Sequence, residues 1–192
     1  MSKKIIFPIL ISLSFISCAS GIAVSVKSNE LDACYKQVPS SLLSALKKTY
    51  SEYRIVTTSD YAHETIEWEK QYHDGNECLS VTKGDFDGNN EIDFAILLTD
   101  ASENEILIAA RSSKSSWIIE KLLDFNQGRL GTSYVNKLPP GNYEDMWGGG
   151  EEVGRVKRIF SDKQGIITGT IESSGVAYFY YDNRWIHLWL SD

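Results

Sequence analysis

Histidine is scarce in this sequence: His63, His73 and His187 are the only three among 192 residues. The stretch "HETIE" at 63–67 lacks the second histidine that a zinc-protease helix places four residues after the first. The three cysteines include no CxxC spacing, which argues against a thiolate metal site. Ser112, Ser113, Ser115 and Ser116 have no nucleophile-elbow glycines around them. The triple glycine at 148–150 has no lysine-threonine partner and no preceding strand, so it is not a phosphate cradle. His73-Asp74 offers an acid-base pair but reads better as an exposed pair beside a turn, and Glu151-Glu152 offers paired carboxylates but reads better as a solvated loop, since adjacent residues usually point apart. These absences point away from an enzyme.

Basic charge is also in short supply. Lysine and arginine number 19 against 26 aspartates and glutamates, for a net charge of −7 and a pI near 5.0. Nucleic acid binding needs a basic face, and so does electrostatic docking on anionic lipid. Neither fits. A cation or a basic protein partner does. Hydrophobic content of 42% excludes global disorder, and the length suits one domain with a short appendage.

The apolar run "IIFPILISLSFI" at 5–16 is too short to span a bilayer, which takes ~20 residues. Behind Lys3 and Lys4 it reads as the core of a secretory signal. "FISC" follows and resembles the lipobox of bacterial lipoproteins, which implies lipidation at Cys18. Ala19 after it implies sorting to the outer membrane, facing the periplasm. Ordinary cleavage near "SCAS" is the alternative. The expected organisation is a signal peptide at 1–17, a tether at 18–30 and one domain at 31–192. The two remaining cysteines, Cys34 and Cys78, read as a disulfide in an exported protein, with two separate buried thiols as the alternative.

"PSSLLSALKKTY" predicts an amphipathic helix capped by Ser40 or Ser41, with Leu42, Leu46 and Tyr50 on one face and Leu43 widening the stripe. "YRIVTT" at 53–58 predicts a strand. The segment 59–76 fits a helical stripe of Tyr61, Thr65, Trp68 and Tyr72 capped by Asp60, or a loop. From Cys78 onward closely spaced strands joined by polar turns predict an antiparallel meander. Pro139-Pro140 and the three glycines predict an irregular segment at 126–154. A terminal aromatic hairpin turns at Asp182-Asn183-Arg184. The expected fold class is α+β: one or two N-terminal helices packed on a mostly antiparallel sheet.

One stretch carries chemistry. "GDFDGNNEID" at 84–93 places oxygen-bearing side chains on alternate residues, an arrangement that can converge on Ca²⁺, which takes six to eight oxygen ligands. An EF-hand needs glycine at position 6 and glutamate at 12, where this loop has Asn90 and Ile96. "GDFDGNNEIDFAILL" instead resembles the FG-GAP/VCBS calcium-loop hairpin known from integrin propellers. That resemblance covers about 18 residues. It implies Asp85, Asp87, Asn89 and Asp93 as side-chain ligands and Glu91 as a carbonyl ligand, its side chain facing solvent. The alternative is a polar hairpin that holds no cation. A single copy cannot build a propeller, which takes four or more blades.

The functional expectation is an exported, calcium-binding, non-enzymatic binding module with an envelope protein as partner and membrane attachment through the lipid anchor alone. Two other readings stand beside it. One is a periplasmic inhibitor or immunity protein that plugs a basic cell-wall hydrolase with the 128–154 loop. The other is a cell-wall or glycan-active enzyme using His73, Asp74, Trp147, Trp185 and Trp189.

Overall fold

The structure is a computed structural model that describes residues 32–70, 77–125, 130–171, 173 and 175–190. The predicted signal, the tether and Cys18 lie outside the described residues, as do Tyr72, His73 and Asp74.

Helices come first and are short: α1 (Ala33–Gln37), α2 (Ser40–Thr49) and, after strand β1 (Arg54–Ile55), α3 (His63–Glu69). Strands follow: β2 (Val81–Gly84), β3 (Asp93–Thr99), β4 (Glu105–Ser113), β5 (Ser116–Asp124), β6 (Ser133–Leu138), β7 (Gly141–Glu144), β8 (Arg158–Ser161), β9 (Gly165–Thr170), β10 (Gly175–Tyr181) and β11 (Arg184–Leu190). One sheet runs β1-β3-β4-β5, with β2 also paired to β3. A second runs β11-β10-β9-β6, and β7-β8 form a separate ribbon. Every pairing between these strands is antiparallel.

The side-chain alternation of the strands sorts the core into layers. Phe94, Ile96, Leu98, Ile106, Ile108 and Ala110 cluster with Cys34, Val38, Leu42 and Leu46 of the helices. Ala95, Leu97, Leu107 and Ala109, from the opposite face of the same strands, meet Val135, Ile166, Val176 and Tyr178 of the second sheet. Ala177, Phe179, Ile186 and Leu188 face outward from that sheet and are covered by Tyr143 and Ile159 of the ribbon. The order is α1 and α2, first sheet, second sheet, ribbon, and α3 puts Ile66 into the core between the two sheets. Every residue of β3 is consequently buried, as expected of a strand covered on both faces.

The α+β expectation is corrected by this arrangement. The molecule is mostly antiparallel β, and the longest described helix has only 10 residues. The segment read as irregular accounts for much of the difference. It contains β6 and β7, with Pro139-Pro140 in the turn between them, where a missing N–H costs no ladder bond. The strand expected at 53–58 shrinks to β1. There Thr57 and Asp60 bond reciprocally and turn the chain into a single 3-10 turn, so Asp60 caps this turn and not α3. The cap of α2 is Pro39, which contributes no side-chain bond, in place of the expected serines. The meander and the terminal hairpin match the sequence reading, with Asp182 and Asn183 both at positive φ.

Cys34 and Cys78 form a disulfide linking α1 to the segment entering β2. The Ser80 hydroxyl lies 3.2 Å from Cys34 Sγ and donates to the Val56 carbonyl.

Candidate metal centre

The β2–β3 hairpin sets Gly84 opposite Asp93, so residues 85–92 form the loop between the strands. Gly88 and Asn90 take positive φ, 79° and 65°, and these two left-handed residues coil the loop tightly. Coiling brings Asp85, Asp87 and Asp93 together, with one carboxylate oxygen from each lying within 4.8 Å of the others. This triad can hold a metal ion.

Each carboxylate is also built into the loop. Asp85 Oδ1 accepts from the Gly88 and Asn89 amides at 2.8 and 3.0 Å, and its Oδ2 accepts from Asn90 at 2.9 Å. Asp93 is fully buried. Its Oδ2 accepts from the Phe86 amide at 2.9 Å, and its Oδ1 accepts from the Ser112 amide at 2.8 Å. Burial pushes the Asp93 carboxyl up to about 6, and the Asp87 charge adds to the rise while the amide bonds oppose it. A buried carboxylate held among like charges is one that a cation stabilises.

Asn89 and Glu91 stand outside the triad. Asn89 Oδ1 accepts from the Glu91 amide at 2.6 Å, and its Nδ2 donates to the Ser112 carbonyl at 2.9 Å. The Glu91 side chain does not face solvent as expected: its Oε2 accepts from the Ser112 hydroxyl.

Three residues that sequence reasoning did not connect with this loop frame it. Arg111 donates to Asp87 Oδ2 at 3.3 Å and to Glu120 Oε2 at 2.9 Å, with its guanidinium 3.9 Å from the Tyr180 ring centre. Ser112 closes the loop from β4. Gln164, just before β9, accepts from the Asp85 amide at 3.1 Å and ties the loop to the second sheet. Arg111 had a signal. The polar turn at 101–104 fixes the β3–β4 register, and Phe94 opposite Ala110 carries Asp93 to the level of Arg111. Gln164 is a long-range contact with no local signature.

The other singled-out residues scatter. His63 opens α3. His187 faces Glu152 at 3.3 Å and the Tyr178 ring at 5.7 Å. Glu151 is exposed, whereas Glu152 also pairs with Arg155. Trp185 donates to Glu120 at 3.2 Å. Trp189 packs partly buried beneath Trp147, their ring centres 5.4 Å apart, and Trp147 is 59% exposed. The loop carrying Trp147 is organised by Asp145. That buried carboxylate accepts from the amides of Trp147, Gly149 and Trp189 and from Arg155, which holds it well below the usual carboxylate range. The segment then runs along the outer edge of β11, where the Met146 and Val156 amides donate to the Trp189 and His187 carbonyls.

Comparison with family models, with curated proteins and with solved structures finds no match to this chain.

Proposed function

We propose that the chain is an exported, lipid-anchored calcium-binding protein that acts as a non-enzymatic binding module, with Ca²⁺ in a structural role. The observation that carries the metal part is the convergence of Asp85, Asp87 and Asp93 on a loop wound by two left-handed residues. Three hard oxygen donors of net negative charge favour a hard divalent cation over a soft one. The FG-GAP-like motif makes Ca²⁺ the ion of choice. The loop joins β2 to β3, Ser112 and Arg111 join it to β4, and Gln164 joins it to the second sheet. An ion there would fasten three parts of the fold at one point. Export and anchoring at Cys18 rest on the signal and lipobox-like segment of the sequence. Titration of the purified protein with Ca²⁺ in a calorimeter tests the reading. Binding in the range of extracellular modules, ~10⁻⁴ to 10⁻³ M, is expected. Absence of heat and of thermal stabilisation at millimolar Ca²⁺ would refute it.

A second reading draws on a specific feature: Trp147 stands exposed on a loop that Asp145 pins, and Val153 of the same loop is 99% exposed. A preorganised loop with an aromatic anchor suits the plugging of a partner's cleft, as an inhibitor of an envelope hydrolase would do. If so, Trp147→Ala leaves the melting temperature and calcium response unchanged and abolishes capture of the hydrolase from envelope extracts. Unchanged capture counts against the loop.

A further inference from the structure

The helical layer is fastened to the molecule differently from the sheets it covers. Strands β3 and β4 are held by ladders on both sides and by packing on both faces. Residues 33–50 pair with no strand. Their far end runs into β1, whose short ladder to β3 joins Arg54 to Thr99 and Ile55 to Leu98. Their near end is tied by Asp32, which accepts from the Thr58 amide and hydroxyl, and by the disulfide from Cys34. Between these ends the inward side chains are Val38, Leu42 and Leu46, and the Trp117 indole donates to Ser41 at 3.2 Å. Helices of 5 and 10 residues do not persist in water on their own.

We infer that Cys34–Cys78 is a redox-sensitive clamp, and that its reduction releases α1 and α2 from the first sheet while both sheets stay folded. Released, the layer uncovers Phe94, Ile96, Leu98, Ile106 and Ile108, an apolar face that is at most 5% exposed with the layer in place. The reductant is a dithiol. Its thiolate attacks one sulfur, the Cys34–Cys78 bond breaks, and the second thiol closes the dithiol into its own cyclic disulfide. The protein gains two electrons and two protons as two thiols. Both sulfurs are buried, at 0 and 1% exposure, so the reductant enters when the layer opens.

The test is amide hydrogen exchange, read by mass spectrometry, on the oxidised protein, on the protein reduced with dithiothreitol and on a Cys34→Ser/Cys78→Ser variant. Reduction is checked by mass. Exchange across 40–49 should accelerate by about 30- to 1000-fold, the range that loss of such a cross-link implies, while 94–98 and 106–110 keep their protection. An apolar dye should bind the reduced protein and the variant but not the oxidised protein, and reoxidation of the reduced protein should reverse both changes. Three outcomes overturn the inference. Full protection of 40–49 without the disulfide means packing alone holds the layer. Simultaneous loss in helices and strands, or failure of the variant to fold, means the layer is no separate unit.

Discussion

Asp93 stabilises the loop and resists its own charge. It accepts from amides on both sides, and burial meanwhile raises its carboxyl to about 6. The sign of its contribution follows. A carboxyl whose folded value lies above its unfolded value favours the folded state fully below the unfolded value, about 3.9, and that contribution is lost as pH rises through about 6. A bound cation reverses the preference, because it favours the ionised form. Calcium affinity should therefore fall as pH drops below about 6, where protons compete for Asp93, and titrations at pH 5 and pH 7.5 compare the two regimes directly. Asp93→Asn separates the two roles. An amide can accept on one side only, so either Phe86 or Ser112 loses its acceptor. We expect a loss of about 1–3 kcal/mol by urea denaturation without calcium, and no further stabilisation when calcium is added.

Elements follow local patterns where local patterns decide the structure. The β2–β5 meander was legible because apolar runs alternate there with short polar turns, and the acidic loop was legible because Asp85, Asp87 and Asp93 lie close in sequence, whereas Asn89 and Glu91, read with them, stand outside the triad. The ribbon and β6 were not. Pro139-Pro140 reads as a breaker, yet the prolines occupy a turn whose strands show the alternation Ser133, Val135 inward and Tyr134, Asn136 partly outward. What makes 133–138 a strand is its pairing with β9, about thirty residues further along the chain. Gly131 marks where this region meets the helical half. Its φ is 77°, and an added Cβ would collide with the Asp60 backbone carbonyl, which cannot move as a flexible side chain can. Gly131→Ala should cost more than about 2 kcal/mol, combining left-handed strain with displacement of the 3-10 turn. Urea denaturation checks the value, and loss of the bond from the Tyr61 hydroxyl to the Ser133 carbonyl is the expected local effect.

At the scale of the whole molecule the candidate site is a junction. Hydrogen bonds from its loop reach β4 through Ser112, and the Asp87–Arg111–Glu120 chain continues to β5. The Asp85–Gln164 bond reaches the second sheet. Arg111 partly balances the acidic cluster from within, which weakens the pull of the triad on a cation. The layered architecture itself was not legible, because amphipathic helices at the N-terminus suggest one sheet to cover and say nothing of a second sheet behind the first. We propose that this junction binds calcium and that the ion stabilises the fold. Differential scanning calorimetry of the purified protein, with 10 mM Ca²⁺ and with chelator, tests it most directly. Binding at ~10⁻⁴ to 10⁻³ M stabilises by about 1.4 to 2.7 kcal/mol at that concentration. For a chain of this size that is a rise in melting temperature of roughly 3 to 10 °C, which Asp93→Asn should abolish. An identical melting temperature with calcium and with chelator would contradict the account.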